Sequence, residues 1–166
     1  MAREKYLAEP VPVVVAAHGG SSATTVARAL RLPERRLDEV SATDLVVLTA
    51  LGHAYGGRRL VESVAALPES TPIVLALTST GWWLSAQARA SRRLVGDRLT
   101  ADVVFPWCYR WHDLSTPSAA TATSAWRSAA LELATVLDHL TSKELSDESA
   151  AHRDPVDVAG TGRRSH

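Results

Sequence analysis

A glycine-rich turn near the N-terminus holds the residues of this chain that are best suited to chemistry. Gly19 and Gly20 follow an apolar run and precede small hydroxyl residues. This arrangement presents successive backbone amides and hydroxyl groups at the start of a helix, which favours an anion. The sequence therefore predicts an anion- or nucleotide-binding turn made of Gly19, Gly20, Ser21, Ser22, Ala23, Thr24 and Thr25. A tight strand-to-helix connection without a ligand is the other interpretation of the glycine pair.

Aromatic side chains form a second group with a chemical use. They occur after two different apolar runs, and those at 107, 109 and 111 alternate along the chain. Alternate residues of an extended segment share one side, and aromatic residues and arginine are enriched at interfaces. Packing of these rings on the end of a sheet is the alternative. We predict an interaction patch made of His18, Trp82, Trp83, Trp107, Tyr109, Arg110 and Trp111.

Apolar runs alternate with amphipathic segments, and this order predicts the elements that position both groups. The predicted strands are residues 11–17, 44–51, 72–78 and 101–105, and the predicted helices are residues 21–32, 58–67, 82–95 and 118–140. Residues 34–39 are charged and are predicted to be a link. Strands that alternate with helices imply an α/β fold of three layers, with a parallel sheet of four or five strands and flanking helices. Ligands bind at the carboxyl ends of the strands in such folds.

Length and charge limit the class of protein. The chain has 166 residues, with 18 Lys and Arg against 18 Asp and Glu, so its formal net charge is zero. A zero balance argues against a strongly basic nucleic-acid binder. No apolar run approaches the ~20 residues of a membrane helix. We expect a cytoplasmic protein without a membrane partner, divided into a polar lead (1–10), an α/β domain (11–140) and a disordered tail (141–166).

The segment VVVAAHGGSSATTVARAL resembles the deviant P-loop of partition and septum-site ATPases of the ParA/MinD type. The pattern of that family is a strand, x-Gly-Gly-x-Gly-Lys-Thr-Thr, and a helix. Gly19 and Gly20 match it, and so do Thr24 and Thr25, with Thr24 on the magnesium-binding hydroxyl. The resemblance implies a P-loop-NTPase-like fold.

A second stretch extends the resemblance to about residues 11–113. Phe105 and Pro106 are similar to the late strand and proline that lead to the base pocket in that family. The stretch FPWCYRWHD is also similar to uncharacterised proteins of high-GC bacteria, often encoded near plasmid-transfer genes. A setting in plasmid or mobile-element biology is implied by this resemblance alone.

Departures from the family pattern decide the expected function. Ala23 replaces the lysine that grips phosphate, His18 stands at the signature lysine, and Ser22 replaces the third glycine. The P-loop lysine reaches the β- and γ-phosphates, and losing one charge-assisted contact costs about 1.5–3 kcal/mol. No carboxylate ends the second or third predicted strand, and Asp44 lies at the opposite end. We expect a non-catalytic, P-loop-like interaction or phosphate-sensing module, a pseudo-ATPase.

The expected cofactor is at most a weakly bound ATP or phosphate, and the expected partner is a protein, with a second copy of this chain as one candidate. Two other functions stay open. A nucleotide hydrolase would use Thr24 with a lysine or arginine from a dimer partner, for which Arg58, Arg59 and Arg110 are candidates. A nucleic-acid-binding accessory protein would use the arginines at helical spacing, without support from net charge; these are Arg89, Arg92, Arg93 and the nearby Arg98.

Two further kinds of site have weaker patterns. Cys108 and His112, with His18 and His53 on other loops, do not form a recognisable metal-ligand spacing. Cys108 is predicted to be a packed thiol and Trp126 a core residue. A serine esterase needs a G-x-S-x-G elbow, which the sequence lacks.

Overall fold

The computed structural model describes residues 11–108, 111 and 119–151, with only the backbone described for 143–151. Its strands are β1 (Pro12–Ala16), β2 (Glu34–Arg35), β3 (Leu45–Leu51), β4 (Ile73–Thr78) and β5 (Ala101–Phe105). Its helices are α1 (Ala23–Leu30), α2 (Ala54–Ala66), α3 (Ala86–Leu94) and α4 (Ser124–Ala151). Short 3-10 turns occur at Leu37–Glu39, Gly96–Arg98 and Ala119–Thr121. The predicted three-layer α/β fold is confirmed, and it is consistent with a P-loop-like architecture.

The order of the strands in the sheet reverses between β1 and β3. All five strands are parallel, in the order β2-β1-β3-β4-β5. The chain moves outward from β1 to β2, crosses back to β3, and then continues the other way to β5. This reversal between β1 and β3 is the topological switch point at which α/β sheets open a crevice outside the carboxyl ends of their strands.

Two apolar layers cover the two faces of the sheet. One face packs on α1 and α4 through Val14, Val47, Val74, Phe105, Trp126 and Leu133. The other packs on α2 and the end of α3 through Val13, Val15, Leu48, Leu60, Val64 and Val95. Each large side chain buried in this way contributes about 1.5–3 kcal/mol. Because both faces are covered, the central strands are apolar throughout, as the sequence predicted.

The last helix, α4, packs on the core through Trp126 and other apolar residues. Trp126 is fully buried, and its ring centroid lies 5.1 Å from that of Phe105 and 5.2 Å from that of Trp111. Cys108 is buried as a free thiol. Both residues were predicted to be packed, and this is confirmed. No helix in the described part of the chain has the length and apolar character needed to cross a bilayer.

The structure adds a fifth strand where a charged link was predicted. Glu34 and Arg35 pair with Val14 and Val15 as the short edge strand β2. Hydrophobic periodicity cannot reveal a strand of two charged residues. Arg35 Nη1 also forms an ion pair with Asp44 Oδ2 at 2.9 Å, which ties β2 to the segment before β3. The prediction of a link was therefore wrong at this edge of the sheet.

Several helix boundaries also differ from those predicted. α2 begins at Ala54 rather than 58, because the His53 side chain accepts a hydrogen bond from Gly56 N at 2.8 Å and caps the helix. α3 begins after Ser85, which caps Ala88 N at 3.0 Å, so residues 82 and 83 precede the helix. α4 continues to Ala151, past the predicted end at 140. Residues 1–10 and 152–166 lie outside the described residues.

Close packing explains why α2 contains two glycines. A Cβ on Gly56 would collide with the Leu51 carbonyl oxygen and would lie 3.1 Å from His18 Nε2.

We expect Gly56→Ala to lower the free energy of unfolding by about 1–3 kcal/mol through overpacking. Gly96→Ala is the matched control, since a Cβ there meets nothing within 4 Å. Urea denaturation followed by circular dichroism measures both, and equal stabilities would contradict the prediction.

Candidate functional site

The candidate site lies where β1 and β3 end, at the reversal of strand order. Residues 19–25, called here the glycine turn, comprise the end of the connection from β1 and the first residues of α1. The segment from Gly52 to His53 connects β3 to α2. Because α1 and α2 cover opposite faces of the sheet, the two helices start on opposite sides of the place where a reversal of strand order is expected to open a crevice.

The glycine turn is open on its outer side. Gly20 has φ of +78°, a conformation that L side chains rarely adopt, and Ser22 has φ of +71°. Both Gly19 and Gly20 are exposed, and a Cβ added to either would meet nothing within 4 Å. The turn therefore leaves its backbone accessible from the solvent.

The first amides of α1 have no acceptor in the described structure. The first hydrogen bond of the helix runs from Val26 N to Ser22 O at 3.0 Å, so the amides of residues 23–25 precede the helical ladder. The Ser22 side chain makes no capping bond. Side chains cap α2 and α3, as described above. The uncapped helix start is thus the glycine turn that the sequence predicted to bind an anion.

The hydroxyl groups of the turn point to different partners. Ser21 is 1% exposed, and its Oγ lies 2.8 Å from Thr49 Oγ1, which donates to Val15 O. Ser21 therefore fastens the turn to β3. Thr24 is exposed, and its Oγ1 donates to Glu34 Oε2 at 3.0 Å. Sequence reasoning missed Glu34 as a site residue, because it assigned this position to a link.

Histidine and tyrosine side chains meet at the inner wall of the crevice. The His18 ring centroid lies 5.8 Å from that of His53 and 5.5 Å from that of Tyr55, and the last two are 6.2 Å apart. His18 Nδ1 lies 2.8 Å from Gly19 O, and His18 Nε2 accepts from Leu51 N at 3.3 Å. Since the carbonyl must accept and the amide must donate, His18 carries its proton on Nδ1.

The predicted interaction patch occupies several different environments. Trp82 and Trp83 are 97% and 82% exposed, beyond the carboxyl end of β4. Trp82 and Trp107 line a cavity of about 310 Å³ with Ser79, Gly81 and Pro106. His18 is buried beside α2 instead. Tyr109 and Arg110 lie outside the described residues.

Trp111 belongs to the packing of the core rather than to this exposed group. Its ring meets Trp126 edge-on, and its Nε1 donates to Thr121 Oγ1 at 3.1 Å. Trp82 and Trp83, with the cavity, therefore remain as the accessible aromatic surface, called here the tryptophan edge.

The arginines considered for nucleic-acid binding are mostly engaged within the protein. Arg92 forms an ion pair with Asp102, and Arg89 donates to Leu84 O at 3.0 Å. Arg98 donates to Pro68 O at 2.9 Å. Arg59, considered as a donor to a dimer partner, forms an ion pair with Glu62. Four of the arginines considered therefore have partners within the folded surface.

A buried hydroxyl without a partner lies near the same edge of the sheet. Thr78 ends β4, is 3% exposed, and its Oγ1 has no hydrogen-bond partner among the described residues. An unsatisfied buried group calls for an explanation, such as an ordered water or an ion. The described residues contain no group of three or more His, Cys, Asp or Glu that could hold a metal ion.

Comparison of the chain with protein-family models, with curated proteins and with solved structures gives no significant match. The resemblance to partition-type ATPases therefore stays an expectation.

The buried contact between Ser21 and Thr49 can be tested directly. We expect Thr49→Val to lower the free energy of unfolding by about 1–3 kcal/mol, because it leaves the Ser21 hydroxyl unpaired. The double variant Ser21→Ala/Thr49→Val should lose less free energy of unfolding than the sum of the losses in the two single variants. Thr135→Val, on the exposed face of α4, is the control. Additive effects in a double-mutant cycle would show that the hydroxyls are not coupled.

The tryptophan edge should contribute little to stability. We expect Trp82→Ala to change the free energy of unfolding by less than about 0.5 kcal/mol, because the side chain is almost fully exposed. Trp126→Ala should cost about 3–5 kcal/mol. Urea denaturation compares the two. A large loss in Trp82→Ala would mean that this indole packs on the protein.

Proposed function

We propose that this chain is a non-catalytic module that binds a phosphate-bearing ligand at the glycine turn and presents the tryptophan edge to a protein partner. The observation that carries the proposal is the uncapped start of α1, where the amides of residues 23–25 have no acceptor among the described residues and lie beside two exposed glycines. Backbone amides at a helix start bind phosphate through hydrogen bonds and the helix dipole.

The spacing of the strands fits an extended ligand. β3 separates β1 from β4, so the glycine turn and the end of β4 are about 10 Å apart at roughly 4.8 Å per strand. The cavity between Trp82 and Pro106 lies at the ends of β4 and β5. A nucleotide such as ATP, with phosphate on the turn and its ring in the cavity, suits this span and the resemblance to a base pocket.

Two groups that the ParA/MinD-type family uses for turnover are replaced at the matching positions of this chain. The residue at the position of the phosphate-gripping lysine is Ala23, which is 5% exposed and uncharged. The strands next to the site, β3 and β4, end in Leu51 and Thr78. Phosphoryl transfer depends on cationic side chains and a metal-holding carboxylate, so binding without hydrolysis is the activity we propose.

Glu34 favours the hydrolase alternative in one respect. Its carboxylate bonds to the Thr24 hydroxyl, and a hydroxyl beside a carboxylate is a pair that Mg²⁺ accepts as ligands. In the absence of metal, the same carboxylate places negative charge beside the start of α1 and opposes a phosphate. Glu34 would therefore favour hydrolysis by helping to hold Mg²⁺, but it would weaken phosphate binding when no metal is bound. The two functions thus predict opposite effects of removing its charge.

The exposed indoles support the partner in this proposal. Trp82 and Trp83 are adjacent, and tryptophan is enriched among the residues that dominate binding energy at protein interfaces. Their position beyond β4 places them at the same sheet edge as the ligand. The setting in plasmid or mobile-element biology is proposed from the resemblance alone.

Glu34→Gln tests the phosphate site. Without magnesium, we expect this variant to bind inorganic phosphate and ADP about three- to tenfold more tightly than wild type, because a repelling charge of about 1 kcal/mol is removed. Glu69→Gln, on the exposed loop before β4, is the charge-matched control and should bind as wild type does. Isothermal titration calorimetry at high protein concentration measures the affinities.

Three outcomes would contradict the proposal. Flat titrations of the wild-type chain with phosphate, ADP, ATP and GTP, with and without Mg²⁺, would remove the ligand. Equal affinities in both glutamine variants would place the ligand elsewhere. Release of phosphate from ATP by the pure chain, lost in Thr24→Ala and in Glu34→Gln, would establish the hydrolase instead.

A further inference from the structure

Residues at the start of α2 lie beside the glycine turn at the ends of β1 and β3, and the proposed function gives them no role. His53 and Tyr55 stand at the start of α2, within 6.2 Å of one another by ring centroid and within 5.8 Å of His18. His18 directly precedes the glycine turn in the chain. The cluster therefore lies beside the turn, on the side of the crevice that belongs to α2.

Hydrogen bonds assign the protons of this cluster. His18 uses both ring nitrogens on backbone groups, Gly19 O and Leu51 N, so its role is to join the turn to β3. His53 Nδ1 accepts from Gly56 N at 2.8 Å, which places the His53 proton on Nε2. The Nε2–H of His53 and the hydroxyl of Tyr55 have no hydrogen-bond partner among the described residues. Both are donors left over after the fold has used the others.

Close packing holds the start of α2 against the end of β3 and against His18. The absence of a side chain on Gly56 lets the helix start close to the Leu51 carbonyl and to His18 Nε2. Tyr55 is 55% exposed, so its side chain is accessible to a ligand in solvent.

We propose that His53 and Tyr55 contact the ligand of the glycine turn and donate hydrogen bonds to oxygens of its phosphate group. This inference rests on the proposed function and specifies how the ligand is held. Neutral donors at the starts of α1 and α2, which lie on opposite faces of the sheet, would bind the oxyanion together. A transition metal is the wrong ligand for this pair, because the lone pair of His53 is already used by Gly56 N.

Two conservative variants test the assignment. His53→Asn keeps a side-chain acceptor that caps α2 and removes the Nε2–H. Tyr55→Phe keeps the ring and removes the hydroxyl. We expect each to weaken binding of inorganic phosphate and of ADP about three- to tenfold in calorimetric titrations, as loss of one hydrogen bond predicts. The thermal unfolding midpoint should match that of wild type, and Thr135→Val, which removes a remote hydroxyl, should bind normally.

The outcomes separate this inference from the proposed function. If wild type binds phosphate and Glu34→Gln changes its affinity while His53→Asn and Tyr55→Phe do not, the role of His53 and Tyr55 is wrong and the phosphate site stands. If wild type binds no phosphate-bearing ligand, both fall. Binding of Zn²⁺ that is lost in His53→Asn would overturn the assignment of the His53 proton. Weaker phosphate binding in both variants at unchanged stability supports it.

Discussion

The reversal of strand order between β1 and β3 determines where the other features of this protein lie. A parallel sheet must send each connection across one of its faces, and a change of direction sends neighbouring connections across opposite faces. α1 and α2 consequently begin on opposite faces of the sheet, at the carboxyl ends of two neighbouring strands. Apolar side chains cover both faces of these strands. The crevice is thus a product of topology before any side chain is considered.

The apolar part of the fold could be predicted from the sequence, because burial on both faces leaves a continuous apolar run. β5 has the predicted bounds, and β1, β3 and β4 are each within one residue of them at either end. β2 could not be found in this way, since two charged residues at an edge need no hydrophobic pattern. The start of α2 was missed for another reason. Histidine is not among the usual capping residues, and two glycines disfavour a helix unless close packing requires them.

The candidate site was only partly visible in the sequence. The glycine pair and the following hydroxyl residues marked the turn, but the sequence could not show that Ser21 bonds to Thr49 while Thr24 bonds to Glu34. These partners depend on which strands are neighbours. His53 and Tyr55 carried a weak signal, namely aromatic residues directly after a buried strand. The sequence could not show that these two rings lie beside His18, which it had assigned to the interaction patch of tryptophans, Tyr109 and Arg110.

The distribution of the five tryptophans gives this protein a built-in optical contrast. Trp126 is fully buried against Phe105, whereas Trp82 and Trp83 are exposed to solvent beyond the carboxyl end of β4. A neutral quencher dissolved in the solvent reaches the wet indoles and not the dry one. The emission that the quencher removes therefore reports on the exposed indoles, and the emission that remains reports on the interior. A change at either place can be followed by intrinsic fluorescence, without an attached dye.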